Sequence, residues 1–561
     1  MTRTSSVGGR PLMIVGNESV LTPDRLRTIN ERLDQDPRIA SVSVVGHPDP
    51  QQQFLRATAP AGCAVVIATD VMALTGPVTA SATPADLASW ARLASDRGLW
   101  HDWWLTPDVD VARAPVAFPM SPVDRVEVTD VTTAHHHAIG EHVADPHAVS
   151  ITVDGTWLGP HQTGAQVLTT AALEALAVHP NISRLRLVGV TRLPAYAAHL
   201  AEYPRIEIIE TEQAADEETT DVIWYPNQID HRVDISYARS LGRRVITTYL
   251  DLIAYDIPRY HASEEAWVAY RALQRRIALS VDGITTISAD VAQRLLLEAP
   301  RLDPARVQPI PLGLDHIAAT ATEPGEDLTS LLPALTARPF VLVLGNDFGH
   351  KNRDFAIQVW EQVLDRGVSC DLVLAGLHVR SSSSKDAEDA LLRRHTNLRG
   401  SVHRLGHVDA ASREWLLEHA GAVLYPSSAE GFGFVPYEAA VLGTPSTFVG
   451  FGPLAEISGV PDLPTHWSID QCAADLQSLL TDPESARGRV RALDDARARL
   501  TWTRFADALA EFIVHIDAMP PVEAALVSGT SSDTARLTAV LNSATWRMTA
   551  PLRRLGKRRK R

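Results

Sequence analysis

Two glutamates, Glu430 and Glu438, stand with seven residues between them in the stretch YPSSAEGFGFVPYE, residues 425–438. What lies between them favours the close approach of a ligand. Gly431 and Gly433 let the backbone come near a bound group. Pro436 suits the first turn of a helix, and the helix-like run EAAVLG follows. The free N–H groups and dipole of a helix start attract anions. An acid ahead of the turn and an acid inside the helix point at the same cleft. N–H groups for a diphosphate beside carboxylates for hydroxyls is chemistry suited to a sugar nucleotide.

Other polar stretches are placed to share such a cleft. FVLVLG reads as a buried strand that stops at Gly345, and the loop NDFGHKN (Asn346, His350, Lys351) then enters a helix. A strand over residues 150–153 runs into DGTWLGPHQTGAQ, a glycine-rich turn containing Gly159, His161 and Gly164. As a lone glycine loop it is also compatible with ordinary turn chemistry. The segment TTYLDLIAYDIP carries Leu250 and Asp251, and Asp251 reads equally as a turn residue. Ser288 in ISAD reads as a helix cap. The dense aromatic stretch His101-Asp102-Trp103-Trp104 reads as core or interface. His135, His136, His137, His142 and His147 have no acidic or cysteine partner at a structural-zinc spacing, so they read as a solvated connector, with metal binding as the alternative. Cys63, Cys370 and Cys472 are far apart and fit a reducing compartment.

These loops need α/β units to hold them. A chain of 561 residues is too long for one core, and three domains is the ordinary expectation. Residues 1–115 read as a small accessory α/β domain, with strands at 12–15, 39–45 and 64–68 and helices at 22–34 and 84–95. Within them, PDRLRTINERLDQDPRIASVSVV followed later by VVIATD resembles a fragment of a GT-A-type glycosyltransferase. Residues 116–148, rich in Pro and His, read as a linker. Residues 149–320 and 338–515 alternate apolar strand-like runs with helical spacing, which predicts parallel sheets with crossover helices. Ligands of such sheets sit at the carboxyl ends of the strands. Two such units joined by a linker enclose a deep cleft.

The motifs, taken in order, resemble a known family. DGTWLGPHQTGAQ, TTYLDLIAYDIP, VDGITTIS with VQPIPLGLD, LGNDFGHKN and EGFGFVPYE are similar, over residues 149–515, to the retaining glycosyltransferases of family 4, bacterial polysaccharide type. The resemblance implies the α/β GT-B fold: two facing Rossmann-like domains, acceptor-binding (149–320) then donor-binding (338–515). It implies transfer of a sugar from a nucleotide-sugar donor with retention of anomeric configuration. Glu438 would hold the ribose hydroxyls and Glu430 the donor sugar. Gly431, Phe432, Gly433 and Phe434 would offer backbone N–H groups to the sugar and diphosphate, with Gly345 and Asn346 on the donor loop. Lys351 would neutralise the departing diphosphate, and Asp251 would act from the acceptor side. The sequence departs from the family at Asn346 and His350, where Arg is common, so diphosphate binding rests on Lys351 with His350 assisting. It departs again at Leu250, where the family has a histidine.

Cleaving a sugar–phosphate bond builds negative charge on the diphosphate, and a lysine with a helix N-terminus stabilises it without a metal. The third unit has no DxD-like acidic pair, so neither metal nor other cofactor is expected; the nucleotide sugar is a substrate. The expected acceptor is a glycan or lipid-linked glycan, in cell-surface polysaccharide synthesis. The alternative is a degenerate GT-B domain serving as scaffold or regulator. The net charge of -15 argues against nucleic acid as a partner. Residues 520–561 form a basic tail. From Arg547 to Arg561 it has eight Arg or Lys and no acid, beside Trp546, Met548 and Leu552, which suits an anionic membrane surface. The start lacks a signal-peptide apolar region, and no window reaches the ~20 apolar residues of a membrane span. The expected place is the cytoplasm, peripheral on the inner face of the plasma membrane.

Overall fold

The structure is a computed structural model. It describes residues 11–106 and 148–522 apart from 17–19, 47–52, 58–63, 80–81, 161–162, 215–216, 231–232, 318–322, 326–327, 381 and 396–399. The expected linker at 116–148, with its histidines, lies outside the described residues apart from residue 148, as does the tail from 523 onward.

The first sheet contains β1 (Leu12–Gly16), β2 (Ile39–Gly46), β3 (Gln53–Ala57), β4 (Ala64–Ala68) and β5 (Trp100–Thr106) in the order β1-β4-β2-β5-β3. It is mixed: β2 and β5 run parallel, while β4 is antiparallel to both β1 and β2. β4 is buried along its whole length, which is why AVVIA is apolar without alternation. The aromatic stretch expected as core or interface is β5. His101 and Asp102 are both wholly buried there.

The second sheet contains β6 (Val149–Asp154), β7 (Ile182–Val188), β8 (Ile206–Ile208), β9 (Thr220–Tyr225), β10 (Gly242–Tyr249), β11 (Gly283–Thr286) and β12 (Val307–Pro309), ordered β12-β11-β10-β9-β6-β7-β8. The third contains β13 (Phe340–Leu344), β14 (Asp371–Ala375), β15 (Val402–Gly406), β16 (Ala422–Tyr425) and β17 (Ser446–Phe448), ordered β15-β14-β13-β16-β17. Every pairing in these two sheets is parallel. β13 and β14 have no exposed residue, as expected of strands covered by helices on both faces. Two doubly wound parallel sheets in one chain make this an α/β protein of GT-B fold.

Strand order decides where the loops go. In the third sheet the chain leaves β13 towards β14 on one side, while β16 pairs on the other. The loops after β13 and β16 therefore part at a topological switch point, where such sheets open a crevice. β6 holds the same position in the second sheet, between β7 and β9.

The link between the two sheets is crossed twice. Leu314 N–H donates to Leu500 O (2.8 Å), and Trp502 N–H donates to the Asp315 carboxylate (2.9 Å). The returning chain forms the helix Trp502–Ala518. It was expected, up to residue 515, within the third unit, but it packs on the second. Phe505 lies against Trp224 of β9 (6.3 Å between rings), and Arg244 of β10 donates to Asp517 O (2.9 Å) and Met519 O (2.8 Å). Its apolar face covers β11 and the helix Gly164–Val178, which local spacing could not reveal.

Candidate active site

The loop after β13 carries Lys351 in a short 3-10 turn, Gly349–Lys351, ended by Asn352 in the left-handed region (φ 50, ψ 44). The loop after β16 carries Glu430. These two loops meet. Lys351 Nζ lies 2.5 Å from Glu430 Oε1 and donates to Tyr425 Oη at 3.2 Å. Tyr425 Oη in turn donates to Glu430 Oε1 at 2.5 Å. Burial pushes the Tyr425 phenol well above its ordinary range, so it stays a neutral donor. Lys351 keeps partial access to solvent (21% of its side chain), whereas Glu430 is nearly closed off (9%). The ammonium is thus partly open to water, and the carboxylate it pairs with is nearly closed off.

Asn352 ties the loops together. Its Nδ2 donates to Pro426 O (2.9 Å) and Ser428 Oγ (2.9 Å), and Ser428 N–H donates to His350 O (2.8 Å). Asn352, like Tyr425 and Ser428, is a residue that the sequence did not single out, though asparagine is the usual non-glycine choice for left-handed backbone.

His350 does not assist as a cation. Burial, then the neighbouring charges of Lys351 and Arg97, push it well below its ordinary range, so the ring is neutral. It is hydrogen-bonded to the Tyr260 hydroxyl of the second domain. Asn346 is also engaged: its Oδ1 accepts from Leu377 N–H (3.0 Å) and holds the loop after β14. The next residue, Asp347, accepts from His378 Nδ1 (2.6 Å), Val379 N–H (2.7 Å) and Ser383 Oγ (2.8 Å). Burial opposes its ionisation, but these bonds hold its carboxyl below the usual range. Gly345, at the end of β13, passes under the methylenes of Lys351.

Phe432 is buried against Tyr437 (6.1 Å) and Phe434 (5.0 Å), which shapes the turn into the helix Val435–Val441. Among the described residues, no acceptor takes the N–H groups of Gly431, Phe432, Gly433 or Phe434. Glu438, in the first turn of that helix, pairs with Arg413 of the helix Ala410–His419. Arg413 carried no sequence signal of its own.

The second domain closes the other side. Gly431 is pressed against the backbone at Leu250: a Cβ there would lie 1.8 Å from Leu250 O. Only glycine fits that contact. Asp251 follows, its Oδ1 accepting from Ile253 N–H (2.8 Å), as a turn residue does. Burial pushes its carboxyl up; that N–H and the charges of Arg294 and Lys351 pull the other way. In the loop after β6, Gly159 O accepts from Tyr196 Oη (2.8 Å), and Gly164 opens a helix with a Cβ position 3.6 Å from the Phe434 ring. This loop therefore reaches the donor-side motif. His161 lies outside the described residues. Ser288 caps the helix Ala289–Glu298, as expected.

Residues 332–492, which contain the Lys351 and Glu430 loops and Glu438, match the family model for glycosyl transferases group 1. The chain is also similar to named relatives. It is 38% identical over 128 residues to a glycogen synthase of Mycobacterium tuberculosis, covering 21% of this chain and 30% of that protein. It is 38% identical over 95 residues to a D-inositol 3-phosphate glycosyltransferase of Segniliparus rotundus, covering 16% of this chain and 21% of that protein. The chain thus spans less than a third of the length of the curated relatives it matches. Among solved structures, Anabaena Alr3699/HepE in complex with UDP and glucose is similar over 65% of this chain and 99% of that one (TM-score 0.47, 16% identity). A UDP-forming α,α-trehalose-phosphate synthase from Burkholderia xenovorans is similar over 65% and 100% (TM-score 0.49, 14% identity).

Proposed function

We propose that the chain is a retaining, metal-independent glycosyltransferase of family 4. It moves a sugar from a nucleotide-sugar donor to a glycan or lipid-linked acceptor in cell-surface polysaccharide synthesis. The observation that carries this reading is Lys351 Nζ, partly open to solvent and 2.5 Å from Glu430, on whose loop the amides of Gly431 to Phe434 are unclaimed among the described residues. The names of the matching relatives support the same class. In this reading the diphosphate lies between Lys351 and those amides, and Glu438 exchanges Arg413 for the ribose hydroxyls. The acceptor hydroxyl attacks the anomeric carbon from the face that the diphosphate leaves. The carbon–oxygen bond to phosphate breaks, its electron pair stays on the diphosphate, and the acceptor proton passes to that oxygen. Lys351 stabilises the charge that develops there, and Glu430 orients the ammonium. No protein base is required. In this reading Asp251, its carboxyl raised by burial, acts from the acceptor side.

The scaffold reading draws on the departures at Leu250 and Asn346. Donor hydrolysis by the purified chain separates the two. A panel of UDP-, GDP- and dTDP-sugars is expected to show turnover with at least one. Glu438→Ala is expected to weaken that donor's binding about tenfold to a hundredfold, the worth of one charge-assisted hydrogen bond. No turnover and no nucleotide-sugar binding by the parent protein would leave the scaffold.

A further inference from the structure

We propose that the first domain is a wall of the donor site itself, and that Arg97 is a positioning residue fixing the turn that carries Lys351. This rests on the proposed function only for its consequence in catalysis; the contact is geometric.

Arg97 follows the helix Pro84–Asp96 and its guanidinium is nearly buried (13% exposed). Nη1 donates to Gly349 O (2.8 Å), Asn352 Oδ1 (2.9 Å) and Asp354 Oδ1 (2.7 Å), and Nη2 to Asp354 Oδ2 (2.6 Å). One planar fork thus grips both ends of the turn that presents Lys351. By occupying Asn352 Oδ1 it also orients that amide, so that Nδ2 points at Pro426 and Ser428 of the Glu430 loop. Ser428 Oγ donates back to Arg97 O. Gly98 (φ 74) approaches so closely that a Cβ would lie 2.9 Å from Ala429 Cβ, one residue before Glu430. The helix end therefore plugs the junction of the two donor loops.

The same domain grips the opposite side of the crevice. Asp96 pairs with Arg259 (3.4 Å). The buried Arg38 pairs with Asp290 of the second domain and stacks on Trp100 (4.2 Å) and on Phe451 of the third (5.2 Å). A mere tether would touch one neighbour. This domain touches both: the second at Arg259 and Asp290, and the third at residues next to Lys351 and Glu430. It sets the crevice rather than decorating it.

The test uses the full chain. In Arg97→Ala, hydrogen exchange at residues 349–354 and 426–430 is expected to accelerate at least tenfold while the second sheet is unchanged. Asp354→Asn is expected to give the same pattern from the other partner. If Arg97→Ala does not fold, Arg97→Lys keeps the charge and loses the fork, and the same local pattern is expected. Unchanged exchange, or acceleration spread evenly over the chain, overturns the proposal. The catalytic arm is a double-mutant cycle on the donor that the parent protein binds. Arg97→Ala is expected to weaken donor binding tenfold or more, and to add nothing in a Lys351→Ala background. Additive losses overturn the role through Lys351. A parent protein that binds no nucleotide sugar defeats the proposed function, and the exchange result then decides the wall by itself.

Discussion

A lysine shared between a nearly buried carboxylate and a neutral phenol is held in place by charge as well as by packing. Removing the ammonium leaves the nearly buried Glu430 carboxylate without its cation, which costs stability as well as activity. The two effects can be separated. Lys351→Ala is expected to lower donor turnover about a hundredfold or more, the scale for losing one preorganised charge stabiliser, and to lower the melting temperature. Adding Glu430→Gln to Lys351→Ala is expected to restore much of the melting temperature but none of the turnover. Calorimetry beside a hydrolysis assay reads both. If the double variant melts no higher than Lys351→Ala, the pairing of Lys351 with Glu430 is not what holds the loops. Leu250 stands at a position where the sequence pointed to a missing histidine. The structure uses its backbone carbonyl instead, as the surface against which Gly431 rests.

At the scale of an element, β5 shows how a strand can carry polar residues without a catalytic role. His101 is wholly buried beside Trp90 (5.5 Å between rings) and Ser41 Oγ (2.8 Å). Burial pushes it down to about 4 from its ordinary 6.5. The unfolded chain takes up this proton below about 6.5 and the folded chain only near 4, so stability is full above that range and falls as pH falls through it. Between pH 7 and 5.5 the loss from His101 amounts to about 1 kcal/mol. His350, also pushed down, acts with the same sign. His101→Gln is expected to flatten the pH dependence of chemical denaturation by that amount. An unchanged slope would mean that the ring takes up its proton as readily in the folded state as in the unfolded chain. The strand reads from sequence only as aromatic density; its neighbours β2 and β3 come from residues 39–57.

For the whole molecule, the crevice depends on three sheets holding one geometry. Gly431→Ala places a methyl group on Leu250 O, and overpacking of this kind costs about 1–3 kcal/mol. The domains are expected to part, seen as a larger radius of gyration in solution scattering together with loss of donor turnover. An unchanged radius with full turnover would show that the contact yields locally. Among the described residues no helix is long and apolar enough to cross a membrane. Attachment to anionic lipid is proposed for the tail, at about 1 kcal/mol per cation near the surface. Deleting residues 546–561 is expected to abolish binding to anionic liposomes at low salt while leaving donor hydrolysis intact; equal binding by the shortened chain would end that idea.

By itself the sequence determined what neighbouring residues decide. The apolar runs of β13 and β14 named buried parallel strands, glycine and proline placed the turn between Glu430 and Glu438, and Lys351 stood at the end of a strand-to-helix loop. It did not show which groups those residues meet. Arg97 reaches Asn352 and Asp354 across more than 250 residues of chain. Tyr260 meets His350 across 90 residues, and Arg413 meets Glu438 across 25. Nor did local spacing show that the helix Trp502–Ala518 turns back to the second sheet. Periodicity along a chain reports which face of an element is apolar. Strand order and the packing of one sheet against another decide which faces meet, and they made a domain that looked like an accessory into a wall of the site.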